Sequence, residues 1–317
     1  MRRKERKMKI KIYILTWVMI VGLASCSNSD NETATSTTTS QIMLSAGIVE
    51  LQESGRAATD VLQTNFSPNN RIGVYINEVT SETPVVVYPQ PIEYRITNTS
   101  GQMSRISGGD PYYPVNGHDV EIYAFYPYAA ITSSGVYKLR TSQVSKSDYE
   151  YCDLMSATIT GRNETAPLQL TFNHLASKIT VNLSTTQSGV NLSSSKIRIL
   201  NVVREANLNT AEGQLVSVSG SNTDPVLISN DGKTASSGII LPQTIAANTR
   251  FIEIELLTKE KVYGIMPTTY TFLPGKSYVF NIDVVVDRDA SEFTLNDIQI
   301  VDWVNETPQD IEAERTN

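Results

Sequence analysis

Apolar residues recur at every second position through most of this chain, and that period restricts the possible fold more than any other property of the sequence. Ile42, Leu44, Ala46 and Ile48 share one parity, with Met43, Ser45 and Gly47 between them. Successive side chains of a strand point to opposite faces, so such a stretch buries one face and wets the other. The pattern returns in Arg71–Ile76, Pro84–Tyr88, Glu121–Tyr126, Lys178–Leu183, Lys196–Leu200, Arg250–Leu256 and Ser277–Val284. β-Branched and aromatic residues fill these runs, and Gly, Pro, Asn, Asp or Ser separate them. No apolar stripe at helical spacing follows residue 25. The expectation is an all-β chain of antiparallel β-sandwiches, not a parallel α/β sheet. The polar stretch Gly161–Pro167 is read as a boundary between an N-terminal β-sandwich domain (42–164) and a C-terminal one (165–317).

Ahead of the first strand lies a different kind of sequence. Arg2, Arg3, Lys4, Arg6, Lys7, Lys9 and Lys11 precede the apolar run Ile12–Val21. A charged stretch followed by a short apolar one is the layout of an export signal. The run is too short for the roughly 20 residues that span a bilayer. Leu23-Ala24-Ser25-Cys26 then resembles the lipobox of bacterial lipoproteins. That resemblance implies removal of residues 1–25 as a lipoprotein signal peptide, with Cys26 acylated and anchored to a membrane. Residues 27–41 are almost wholly Ser, Thr, Asn, Asp, Glu and Ala, so 26–41 is expected to be a lipidated cysteine and a flexible tether.

Charge and composition exclude several functions. The chain carries a formal charge of −7, and losing the net +6 of residues 1–25 leaves −13. A chain this acidic repels phosphates, so nucleic acid is not an expected partner. Of two cysteines, Cys26 is assigned to the lipid, which leaves Cys152 without an intrachain disulfide partner. Two histidines leave little for metal or acid–base chemistry, and CxxC, HExxH, GxSxG and Gly-rich phosphate loops are all missing. Gly108-Gly109-Asp110-Pro111 reads as a turn. His174 is read as structural and His118 as a solvated turn residue. No catalytic residue, cofactor or metal is therefore expected, and the chain is read as non-enzymatic.

The stretch Tyr112–Tyr128 is crowded with rings, and two readings stand. Exposed rings could stack on sugars, whereas a period-two aromatic strand fills a sandwich core. Alternation of Tyr123 and Phe125 with Ile122, Ala124 and Tyr126 favours the core.

An ordered set of segments then points to a family. An acyl-anchored N-terminus and tether come first, then Arg56-Ala57 and Arg71-Ile72-Gly73-Val74-Tyr75. Tyr112-Tyr113-Pro114, Ile122–Tyr128, Asp153-Leu154-Met155-Ser156-Ala157 and Leu170–Ile179 follow. In this order they resemble the fimbrillins, the pilins and pilin-like lipoproteins of type V pili. The resemblance implies two transthyretin-like β-sandwich domains and a lipoprotein precursor carried to the outer membrane and cell surface. It also implies cleavage by an arginine-specific protease and polymerisation with other pilin subunits, like or unlike, by strand exchange.

The residues suit that mechanism. Arg56 lies among small and polar neighbours, Gln52–Ala58, as an exposed loop does. A cut at Arg56-Ala57 would detach the strand carrying Ile42, Leu44, Ala46 and Ile48. The groove left behind would hold unpaired backbone groups and pockets for alternate side chains. The candidate donor strand is Glu292–Trp303, with Phe293, Leu295, Ile298 and Ile300. Asp297 breaks its register, which calls for a bulge or two short strands. The same segment also reads as the last strand of the second domain. The alternative to a fimbrial subunit is a monomeric surface lipoprotein that binds glycans, as an adhesin or carbohydrate-binding protein. On either reading host or bacterial surface glycans or proteins are candidate partners.

Overall fold

The computed structural model describes residues 40–50, 61–63, 66–80, 85–86, 90–132, 134–162, 165–209, 214–218, 220, 223–232, 235–286, 291–295 and 298–303. The first half folds into strands β1 (Leu44–Glu50), β2 (Val61–Gln63), β3 (Arg71–Glu78), β4 (Val85–Val86), β5 (Ile92–Ile96), β6 (Met103–Ser107) and β7 (Val120–Tyr126). Next come β8 (Val136–Lys138), the short helix α1 (Lys146–Cys152), β9 (Met155–Gly161) and β10 (Leu168–His174). The helix starts where the Ser145 side chain accepts the Asp148 N–H, satisfying one of the donors that open a helix.

All of these strands but β8 form one sheet in the order β2-β1-β10-β9-β7-β3-β5-β6, with β4 paired to β3. The sheet rolls back on itself. Ser45 in β1 bridges Gln102, at the entry to β6, and the Ala46 N–H donates to the Gly101 carbonyl at 2.9 Å. β1 thus closes the roll, touching β10 on one side and the far end of the sheet on the other. Closure of this kind hides sheet edges that would otherwise offer unpaired N–H and C=O groups.

The second half contributes β11 (Ser177–Ser184), β12 (Lys196–Ile199), β13 (Glu205–Asn209), β14 (Gln214–Val218), β15 (Val226–Ser229) and β16 (Ala235–Ile240). It continues with β17 (Thr244–Ile245), β18 (Arg250–Glu255), β19 (Lys261–Ile265), β20 (Tyr270–Thr271), β21 (Lys276–Asp283), β22 (Glu292–Thr294) and β23 (Gln299–Asp302). One sheet has the order β16-β11-β21-β23, a second β15-β12-β18-β19-β22, and both bury apolar faces in a single core. Phe251, Phe272 and Tyr278 are its centre: Phe251 stacks on Phe272 at 5.0 Å, and Phe272 meets Tyr278 edge-on at 4.8 Å.

The chain is all-β in character, as its period predicts, but two features differ from the sequence reading. First, β1 runs parallel to β10, β11 to β21 and β19 to β22. In each half the opening strand lies parallel to a strand near the end of that half, a pairing that requires a long return of the chain. Second, Gly161–Pro167 is no boundary between sheets. It connects β9 to β10, which pair antiparallel within the first sheet. Sheet membership changes instead between His174 and Ser177, where β10 gives way to β11. A polar, Pro-containing stretch has the same composition in a connection between paired strands as in a linker, which is why the two look alike in sequence.

A third apolar cluster joins the halves. Tyr137, Leu139, Cys152 and Leu154 from the first half meet Ala206, Ile239 and Leu241 from the second, with Trp303 against them. Backbone pairing of β8 with β13 crosses the same junction.

Candidate functional site

β1 is where the sequence and the sheet closure converge. Ile42, Leu44, Ala46 and Ile48 are all buried, on the core face of the rolled sheet. β1 aligns in parallel with β10 from Leu44 beside Leu168 to Ile48 beside Phe172. Its end pairs antiparallel with β2, from Ile48 beside Gln63 to Glu50 beside Val61. The opposite edge is held more sparsely. The Ile42 N–H donates to the Pro111 carbonyl (2.8 Å), the Ala46 N–H to Gly101, and the Tyr113 N–H to the Ser40 carbonyl (3.1 Å). Beside this seam lies a hollow of about 460 Å³ lined by Met43, Tyr94, Met103, Arg105, Asp110 and Pro167, among others. The strand is therefore bonded continuously along β10 and only intermittently on the opposite edge, through residues that flank β6. Arg56 and Ala57, the expected cleavage pair, and Cys26, the expected lipidation site, lie outside the described residues.

The candidate donor segment is divided between two sheets. Phe293 lies in β22, which pairs in parallel with β19, and Leu295 is 2 % exposed in the second core. Leu295 packs over Gly264, where a Cβ would lie 2.7 Å from its Cδ2 atom, so any larger residue there would require the Leu295 side chain to shift. Ile298 packs against the same core, while Ile300, in β23, is 56 % exposed. β23 runs antiparallel to β21, from Gln299 beside Val279 to Asp302 beside Lys276. Asp297, where the register break is expected, lies outside the described residues, and the described parts on either side belong to the two short strands β22 and β23.

Trp303 then ends the described chain in a buried site. Its ring stacks on His174 at 4.1 Å with the planes 5° apart, and its backbone N–H donates to the Gly275 carbonyl (3.1 Å). His174 Nδ1 lies 2.7 Å from Asp153 Oδ1, and its buried Nε2 has no hydrogen-bond partner among the described residues. This agrees with a structural histidine. No local sequence signal pairs His174 with Trp303, because they are distant in the chain.

The other singled-out residues are placed plainly. Tyr113, Phe125 and Tyr126 are buried, and Phe125 is in ring contact with both Tyr75 and Tyr128. Tyr112 is 48 % exposed and Tyr123 and Tyr128 are half-buried, so the segment divides between core rings and partly open ones. His118 is exposed, but it is not merely solvated: its Nδ1 lies 2.6 Å from Glu78 Oε1, which also accepts from Asn116. Those contacts, Asn116 first, hold the Glu78 carboxyl below its ordinary range. Cys152 is a buried free thiol, and burial pushes its pKa up to about 11. A thiol held neutral in this way is a poor nucleophile. Among the described residues no group of three or more His, Cys, Asp or Glu is arranged to hold a metal.

The class defined by this architecture is an all-β protein of the kind seen in solved Bacteroides structures. A proposed cell adhesion protein from Bacteroides uniformis superimposes with a TM-score of 0.60 at 19 % identity, over 83 % of this chain and 98 % of its own. One from Bacteroides ovatus gives 0.61 at 20 % identity, over 85 % of this chain and 100 % of its own. The curated proteins contain no match. The fimbrillin-like family model matches residues 56–303, and the chain belongs to the fimbrillin-like family. It is accordingly a fimbrial-type surface protein.

Proposed function

We propose that this chain is a structural or accessory subunit of a cell-surface fimbria, exported as a lipoprotein through Cys26 and assembled by strand exchange after cleavage at Arg56-Ala57. One observation carries the reading. The most N-terminal described strand is a core-filling stave, with Ile42, Leu44, Ala46 and Ile48 all buried, and it is the strand upstream of Arg56. Its loss would open an apolar slot with the β10 edge exposed along Leu168–Phe172, where an incoming strand gains main-chain hydrogen bonds and side-chain pockets together. Partners on this reading are other pilin subunits, an arginine-specific protease and the outer membrane. The role is structural and not catalytic. Burial of the Cys152 thiol and the enclosed setting of His174 support that assignment.

The test is proteolysis of the full chain by an arginine-specific protease, followed by mass spectrometry and denaturing-resistant gel analysis with and without a second pilin. Cleavage after Arg56 with loss of residues 40–50 and formation of a stable complex is the expected result. A chain that resists cleavage, or keeps β1 and stays monomeric, would remove the strand-exchange reading.

A further inference from the structure

We infer that the slot closed by β1 is shaped for a strand from a different protein chain, and not for the C-terminal strand of another copy of this one. This rests on the strand-exchange reading above and specifies the partner. β1 and the extended residues that lead into it fill four consecutive inward positions with a large, a large, a small and a large apolar residue: Ile42, Leu44, Ala46 and Ile48. The small position is set by the packed core. Ala46 is 1 % exposed and lies in the same apolar cluster as Leu170 and Phe172, with Leu170 level with it on β10. Its methyl group fills the space there, and a longer side chain would have to displace packed neighbours.

The chain's own candidate donor does not meet this pattern. Four alternate residues drawn from Glu292–Trp303 in any frame include at least one Asp, Asn or Gln. Phe293 and Leu295 are followed by Asp297 and Gln299, while Ile298 and Ile300 are followed by Asp302. In the frame that begins at Phe293 or at Ile298, the carboxylate arrives at the small position, which is enclosed in core. Burying an unpaired carboxylate there opposes binding far more strongly than one lost methyl. The segment is also engaged in its own molecule, with Leu295 in the second core and Trp303 stacked on His174. The occupant is thus an extended segment of another protein with large apolar residues at the first, second and fourth inward positions and Ala, Gly or Ser at the third. On this basis the chain accepts a strand from an unlike subunit and does not form a shaft from copies of itself.

Binding of labelled peptides to the full chain, cut by an arginine-specific protease in mild denaturant so that β1 can leave, distinguishes the possibilities. The peptides are residues 40–50, the same peptide with Ala46→Asp, and residues 292–303. The 40–50 peptide should re-enter the slot, and the other two should bind roughly 100-fold more weakly. Binding of 292–303 within about tenfold of 40–50 would overturn the partner assignment while leaving strand exchange intact. So would self-assembly of the cut chain into a ladder that disappears when residues 292–303 are deleted. Failure of all three peptides to bind would remove the strand-exchange reading, and the partner assignment with it. In the uncut chain, Ala46→Asp and Ala46→Leu should both lower the urea midpoint. An unchanged midpoint in both would contradict the small third position by a route independent of cleavage.

Discussion

Trp303 lies flat on His174, ring centroids 4.1 Å apart, and so ties the end of the last strand to the end of the strand that carries β1. His174 terminates β10, whose earlier residues pair with β1, and its Nδ1 is held by Asp153. Both rings sit at the junction between the halves, where Cys152, Leu154, Ile239 and Leu241 also pack.

Trp303→Ala removes the largest side chain at that junction. The expected cost is about 3 kcal/mol in urea unfolding followed by circular dichroism, with Trp303→Phe losing roughly half as much. Hydrogen exchange should show β23 deprotected in the alanine variant while β3 and β7 are unchanged. A cost below about 1 kcal/mol would mean that the stack contributes little to holding the C-terminal strand.

Cys152 should impose an alkaline limit on stability. Its folded pKa of about 11 lies above the ordinary thiol value, so the unfolded chain gives up the proton first. Stability from this group is fully present below pH 9 and falls as pH rises toward 11. The loss should be on the order of 2–3 kcal/mol. Cys152→Ala removes that component, so the difference between wild type and variant in urea midpoint should narrow from pH 8 to pH 11. Tyrosines away from the junction titrate in both proteins and cancel in the difference. Tyr137, whose pKa is raised first by burial and then by Cys152 itself, shifts with the thiol and belongs to the same alkaline component.

Acid acts through carboxylates. Glu255 is held below its ordinary pKa mainly by Arg198, Asp148 by Ser145 and then Arg140, and Glu78 by Asn116 and His118. Their contribution is present above the unfolded carboxylate pKa and is lost as pH falls through the lower folded values. Arg198→Met should therefore flatten the acid limb of a thermal-melt series below about pH 4.5, while leaving the alkaline limb as it was. An unchanged acid limb would show that the Arg198 cluster contributes nothing there.

Gly264→Ala forces a Cβ against Leu295. The expected destabilisation is about 1–2 kcal/mol, and Leu295→Ala in the same chain should cost less than the sum of the two single changes. Additive costs would show that Leu295 moves aside without effort.

Cys26→Ala should abolish metabolic labelling by fatty acid and move the protein from the membrane to the soluble fraction. A labelled, membrane-bound Cys26→Ala protein would contradict acylation at that residue.

Particular residues show how far the sequence could be read. The inward parity of Ile42, Leu44, Ala46 and Ile48 was legible because alternation is a property of the strand backbone itself. The burial of Tyr126 followed from the parity it shares with Ile122 and Ala124, whereas that of Phe125, on the opposite parity against Tyr75 and Tyr128, did not. The parallel alignment of Leu44 with Leu168 was not legible, since the two segments are separated by nearly the whole first half of the chain. Nor was the seating of Trp303 on His174, or the His118–Glu78 contact, for the same reason. Gly161–Pro167 misled because turn chemistry reports that the chain bends and not which sheet receives it.

By itself the sequence determined that the chain folds into strands, and which face of each goes inward, because both depend on neighbours one and two residues away. Only the tertiary structure decided which strands lie side by side, that β1 closes the first sheet beside β6, and that the change of sheets falls after His174. Those choices are made among distant segments of similar period, where the winning pairing is the one that buries the most apolar surface after the entropy of closing the intervening chain is met.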